Sequence, residues 1–213
     1  MSFGLTLTGC GRNEDRSQEE SGGQEETSGQ EEISDDTASD SSKEYTLTTK
    51  VVDVINDPVF EDYGRLIFPV DRTISDDLEL QDVGDILVWY NNVNPDSTVE
   101  IANYLRDQAA AGNQIFYDIY TEEEKGENPD KKDTGLFFFR GEPGAKTAIV
   151  NAGGGFMYVA AMHDSFPHAL ELSKRGYNGF TLIYRPGADM ACEDLARAIA
   201  FLHENAEELQ IDM

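Results

Sequence analysis

Three consecutive glycines, Gly153-Gly154-Gly155, follow the apolar run Ala148-Ile149-Val150-Asn151-Ala152. Residues without a Cβ reach positive φ freely, so a glycine run can turn several backbone N–H groups toward one point. Donors converging in that way hold a developing oxyanion, the charge that forms on a carbonyl oxygen during acyl transfer. Close behind come His163, Asp164, Ser165 and His168. The letters His163-Asp164-Ser165 are those of a nucleophilic triad. Sequence neighbours do not aim their side chains at one reacting atom, however, and Ser165 reads instead as a helix cap. His163 and His168 follow the glycines closely enough to line a substrate entrance, with packing or surface roles as the alternative. Cys192 falls on the face of a predicted helix, where a small core residue is a simpler reading than a nucleophile.

The glycine loop needs rigid elements on both sides. A β-branched run stopped by glycine predicts a buried strand ending near Asn151. From Ser165 to Gly176 a serine cap, a proline in the first turn, apolar residues at helical spacing and a glycine stop predict a helix. Gly179-Phe180-Thr181-Leu182-Ile183-Tyr184-Arg185 reads as a second buried strand. The three form a βαβ unit with its loop at the carboxyl end of the first strand, where open α/β sheets bind ligands. Upstream, residues 114–121 and 135–140 read as a hairpin. The charged stretch 122–130 between them lacks the spacing of a calcium loop and reads as a solvated turn.

Further toward the amino terminus the signals thin out. Tyr45 to Val54 is rich in β-branched residues and predicts a strand. Ser97 is a candidate cap for a helix over 98–111 ended by Gly112-Asn113. Trp89 and Tyr90 read as core.

Length fits one domain of ordinary size plus a tail, at 213 residues. A formal net charge of −26 excludes nucleic acid as a partner, because phosphate backbones are bound by clustered Lys and Arg. With two cysteines, Cys10 and Cys192, there is neither a disulfide framework nor a visible metal cluster, and no motif calls for a cofactor. No apolar run is long enough to span a bilayer. Residues 11–44 are Glu, Asp, Ser, Gln and Gly with almost nothing apolar, the composition of a disordered, self-repelling linker.

Two resemblances sharpen this picture. Leu7-Thr8-Gly9-Cys10 is similar to a bacterial lipobox, which implies lipidation of Cys10 and a surface lipoprotein whose acidic stretch is a tether. Met1 to Thr6 lacks a basic n-region and is short for a signal core, so residues 1–10 are expected to be the remnant of a longer leader.

The second covers roughly residues 114–213. Asn151-Ala152-Gly153-Gly154-Gly155-Phe156, then Tyr184-Arg185-Pro186, the helix around Ala191 to Leu202, and Leu209-Gln210-Ile211-Asp212 resemble the front half of an α/β-hydrolase, most of all its hormone-sensitive-lipase-like and carbohydrate-esterase-type branches. The resemblance implies a partial α/β-hydrolase fold: a mixed, mainly parallel sheet with flanking helices. Gly154 and Gly155 would be the backbone donors of an oxyanion hole, with Gly153 shaping the turn. Tyr184 and Arg185 would tie the strand end to its surroundings. Ala152 stands where the family has histidine. That family carries its nucleophile in Gly-x-Ser-x-Gly, which does not occur here, so serine, acid and histidine are all expected beyond Met213. The implied domain plan is 1–10, 11–44, an α+β segment over 45–113 that is a candidate cap, and 114–213. The implied function is the oxyanion-binding fragment of a lipid-anchored serine esterase acting on a small-molecule or glycan ester without cofactor. A non-catalytic surface lipoprotein that binds a glycan or a partner protein is the competing class. A phosphate-binding βαβ domain lacks the Gly-Lys-Ser/Thr ending.

Overall fold

Aromatic side chains on one central strand organise the core. The computed structural model describes residues 44–89 and 92–213. In it Gly135–Phe139 forms β2, every residue of which is buried. β1 (Phe116–Asp118) lies on one side of it and β4 (Asn178–Ile183) on the other, both antiparallel. β3 (Thr147–Asn151) completes the order β1-β2-β4-β3 and runs parallel to β4. The hairpin and the βαβ unit are thus both present, joined into one mixed four-stranded sheet with helices on its faces.

Side chains alternate across a strand, so β2 sends Phe137 and Phe139 to one face and Phe138 to the other. Phe138 stacks on its in-register partner Phe180 with ring centroids 4.0 Å apart. On the opposite face Phe166 of α4 (Ser165–Lys174) meets Phe137 and Phe139 at 5.0 and 5.4 Å. α5 (Ala188–Glu204) takes the Phe138 face, where its Phe201 reaches Tyr117 beside Phe138. Fully burying one such ring stabilises the fold by about 1.5–3 kcal/mol, which anchors both helices.

The segment 45–113 shares this core. α1 (Val51–Ile55), the 3-10 stretches Pro58–Ile67 and Leu80–Ile86, and α2 (Pro95–Ala110) contribute Val54, Phe60, Ile67, Leu80 and Leu105 to the same buried cluster as β2 and β4. The strand expected from Tyr45 to Val54 is instead a turn followed by helix. Val51 and Val54 are both fully buried, an i, i+3 pair that suits a helix face, while the exposed Asp53 faces away. Tertiary packing overrides the β-branched preference there.

Other expectations are corrected in the same way. α2 is capped by Asn94, whose side chain accepts from Asp96 N–H at 3.0 Å, and not by Ser97; Pro95 at the first helical position sets the start. The stretch read as a solvated turn folds as α3 (Glu122–Glu127) and a 3-10 turn, Pro129–Asp133. A reciprocal cap between Thr121 and Glu124 starts α3, and Lys125 is buried against Asp118 and Glu122. Trp89 is 86% exposed and not core, and Cys192 is exposed on α5. Tyr90, Cys10 and residues 11–43 lie outside the described residues, so the lipidation site and the linker do too.

After α6 (Ala206–Leu209) the chain returns beside the start of β3. Thr147 N–H donates to Asp212 O and Asp212 N–H to Ala145 O, each at 3.0 Å, forming a parallel bridge between Lys146 and Asp212. Among the described residues this bridge is all that pairs with the outer flank of β3.

Candidate functional site: the glycine loop and its cleft

β3 delivers the chain into a loop that is pinned at several backbone groups. Gly153 N–H donates to Asp164 Oδ2 at 2.7 Å and Gly153 O accepts from Ala160 N–H at 3.2 Å. Gly154 O accepts from Met157 N–H at 3.0 Å, and Phe156 O from Gly187 N–H at 2.8 Å, which joins the loop to the first turn of α5. Ala152 O accepts from the buried Tyr184 hydroxyl at 2.8 Å. With so many carbonyls held, the remaining donors stand out. The N–H groups of Gly154, Gly155 and Phe156 donate to no acceptor among the described residues.

The glycines earn their places for different steric reasons. At Gly154, with φ of 146°, a Cβ would fall 1.9 Å from Tyr158 O, so no side chain fits. At Gly155, with φ of 60°, a Cβ would meet open space, and the left-handed conformation alone favours glycine.

Gly154 and Gly155 form part of the wall of a cleft of about 480 Å³. Arg72 and Tyr158 form another part, the guanidinium lying 4.6 Å from the ring centroid. Ile86, Leu87, Val88, Trp89 and Met157 make the rest apolar. Trp89, Val88 and Met157 are strongly exposed, giving the mouth an apolar rim. Two unpaired donors beside an apolar wall and one cation can hold a polarised carbonyl oxygen while binding the remainder of a small molecule.

Behind the loop lies a fixed electrostatic support. Arg185 N–H donates to Asp194 Oδ2 at 2.7 Å, and its guanidinium reaches Asp194 at 2.6 Å and Glu193 at 2.8 Å. Tyr120 donates its hydroxyl to Asp194 at 2.6 Å. The hydrogen bonds to Asp194 hold Arg185 firmly in its charged form, and burial, with Asp194 beside it, raises the Tyr120 pKa above the ordinary range. Tyr184 and Arg185 thus fasten the end of β4 to the loop and to α5.

The histidines sit elsewhere. His163 is half-buried, and its Nε2–H donates to Val83 O at 3.1 Å, linking the loop after the glycines to the 3-10 stretch that continues into Leu87, Val88 and Trp89. His168 is exposed, and its Nδ1 approaches Asp164 O at 2.7 Å. Neither lines the cleft. Ser165 does not cap α4: its hydroxyl is buried without a partner, and the preceding Asp164 spends its carboxylate on Gly153. Among the described residues no nucleophile with a base beside it lines the cleft, and no group of His, Cys, Asp and Glu gathers as a metal site. Asp164 stands out in sequence only as a letter of the triad-like run, whereas in the structure it braces the loop; Arg72, which lies 81 positions before Gly153, does not stand out at all. Nothing local in the sequence joins Arg72 to the glycines.

No protein-family model matches the chain, and no curated protein matches it in sequence. Two solved structures are similar to part of it. One is an acetyl ester-xyloside bifunctional hydrolase from Caldicellulosiruptor lactoaceticus, at 24% identity and a TM-score of 0.40, covering 46% of this chain and 38% of that one. The other is MGS-M1, an α/β hydrolase enzyme from a Medee basin deep-sea metagenome library, at 19% identity and a TM-score of 0.38, covering 46% of this chain and 41% of that one. The matched region therefore spans less than half of either neighbour.

Proposed function

We propose that this chain supplies the oxyanion-binding part of a serine ester hydrolase of the α/β-hydrolase kind, held at a bacterial cell surface by a lipid on Cys10. The observation that carries the reading is the pair of unpaired amides at Gly154 and Gly155 on the wall of a cleft. In the reaction a serine oxygen bonds to the ester carbonyl carbon while a histidine accepts the serine proton. The carbonyl oxygen takes up the negative charge in front of Gly154 and Gly155. Collapse expels the alcohol, which leaves with the proton, and water then releases the acid by the same route. One donor of this kind contributes about 2.7–4 kcal/mol to the transition state. Carbohydrate acyl esters are the substrate class implied by the branch of the family that the chain resembles.

The attacking group is not on the wall described above, so this reading needs one from outside the described residues, carried next to β3. The open flank of β3 supports such a placement. The anchor rests on Leu7-Thr8-Gly9-Cys10 and the acidic stretch after it; no described helix is long and apolar enough to cross a membrane.

The lack of a nucleophile and base in the cleft equally favours a second reading, a surface module that binds a glycan or partner without turnover. Translating the nucleotides that follow the Met213 codon separates the two. A Gly-x-Ser-x-Gly shortly downstream, followed by an acid and a histidine, together with labelling of that serine by a fluorophosphonate in the natural protein, supports the hydrolase. A stop codon there, with no labelling, selects the binding module.

A further inference from the structure

We propose that Arg72 recognises a carboxylate on the ligand of this cleft, so that the esters it takes are acidic ones. That the ligand is an ester rests on the reading of the glycine loop above; that it is acidic rests on the cleft itself.

The chain has 42 acidic residues against 16 basic ones. Four arginines are claimed by acids, Arg106 by Asp107, Arg175 by Glu171, Arg185 by Asp194 and Arg197 by Glu204, while Arg65 and Arg140 are held by carbonyls and the Tyr117 hydroxyl. Arg72 is an exception. It makes no ion pair with a described carboxylate, and its one hydrogen bond as a donor is a 3.5 Å contact with the carbonyl of neighbouring Asp71. Among the described residues it is the charged side chain on the cleft wall, and no acid lines that wall.

Its position is built. Arg65 donates to the carbonyls of Phe68, Pro69 and Arg72 at 3.3, 2.9 and 2.7 Å, folding this turn around one guanidinium. Asp71 takes a left-handed φ of 63° to let the turn close. Arg65 is therefore a positioning residue, and the side chain it positions lies over the Tyr158 ring, 4.6 Å from its centroid. A guanidinium stacked on a ring keeps its N–H edge free for an in-plane, two-oxygen acceptor, and a carboxylate fits that fork. An anion there also meets no competing acid on the wall, whereas most of this protein's surface repels it.

The carboxylate can sit on the acyl side of the ester or on the alcohol side as a uronic acid, and the test has an arm for each. Trp89, the single tryptophan, lies on the cleft wall and reports occupancy by fluorescence without any turnover. The 213-residue chain is titrated with monomethyl and dimethyl succinate, and separately with methyl glucuronoside and methyl glucoside. The acidic member of one pair is expected to bind about tenfold tighter. That preference should shrink as salt rises and disappear in Arg72→Gln, with Arg72→Lys keeping part of it. The pair that shows the preference identifies the side of the ester that carries the acid. Equal binding within both pairs, a salt-independent preference, or a preference that survives in Arg72→Gln overturns the proposal. Should Arg72→Gln fail to fold, the salt dependence of the unaltered chain still decides. Because the readout is binding, it is independent of serine labelling: a labelled enzyme without acid preference leaves the hydrolase standing, and acid preference without labelling leaves an anion-binding module.

Discussion

The Asp164 carboxylate accepts the Gly153 N–H at 2.7 Å, and that bond ties the start of α4 to the loop delivered by β3. Asp164 occupies the cap position of α4 yet makes no cap bond with its side chain. The helix has given up a local contact, and the loop has gained a charged acceptor.

Replacing Asp164 by alanine is expected to lower stability by about 1.5–3 kcal/mol, the range for a hydrogen bond to a charged group. Hydrogen exchange at residues 153–156 should accelerate. Asp164→Asn keeps an acceptor and should lose less. Unchanged exchange in the alanine variant would show that the loop is held by its other bonds.

Gly154 and Gly155 should answer to alanine differently. Gly155→Ala costs the left-handed penalty of about 1–2 kcal/mol, a fall in Tm of about 2–8 °C, and leaves the cleft formed. Gly154→Ala drives a Cβ into Tyr158 O and should displace the loop, abolishing ligand-dependent changes in Trp89 fluorescence. Equal behaviour of the two variants in thermal melts and titrations would contradict this geometry.

Asp194 is wholly buried between Arg185 and Tyr120. Asp194→Ala leaves the buried guanidinium with only the half-exposed Glu193 and should cost about 3–5 kcal/mol by urea denaturation, the range for breaking a buried pair from one side. Adding Arg185→Met to that variant should recover part of the loss, since no charge is then left unpaired. A double variant no better than the single one would mean that Arg185 serves the loop in another way.

Burial holds the His163 imidazole below its ordinary pKa, despite its bond to Val83 O. Between that lowered value and the unfolded one of about 6.5 the unfolded chain binds more protons, so stability rises with pH. The contribution is complete above the unfolded pKa and is lost as pH falls through the folded one. Tm recorded from pH 8 down to pH 5 should fall more steeply for the native chain than for His163→Gln, which keeps a donor for Val83 without titrating. Parallel curves would remove His163 as the source.

The parts legible in the sequence were those with short-range causes. Ile149-Val150 stopped by glycine, and the largely apolar Phe180 to Ile183, announce parallel strands, and both form where expected; β4 is buried throughout, whereas β3, at the sheet's outer flank, is only half-buried. Val51-Val52-Asp53-Val54 has the β-branched composition of a strand, but the i, i+3 spacing of its two buried valines is that of a helix face. Asn94-Pro95 and the Thr121–Glu124 box were signals present but unused. The site was half legible. The glycines declared themselves, while Arg72 and the wall ending in Trp89 join them through long-range packing that leaves no trace in spacing.

Among the described residues the sheet carries a single rung on its outer side, Lys146 with Asp212, in parallel sense. Parallel neighbours climb in step, so a polypeptide extended from that rung reaches the height of Asn151 in as many residues as separate Lys146 from Asn151. Its next bend then arrives at the idle amides. A segment that continued this rung would therefore run with β3 and present its carboxyl end to the cleft.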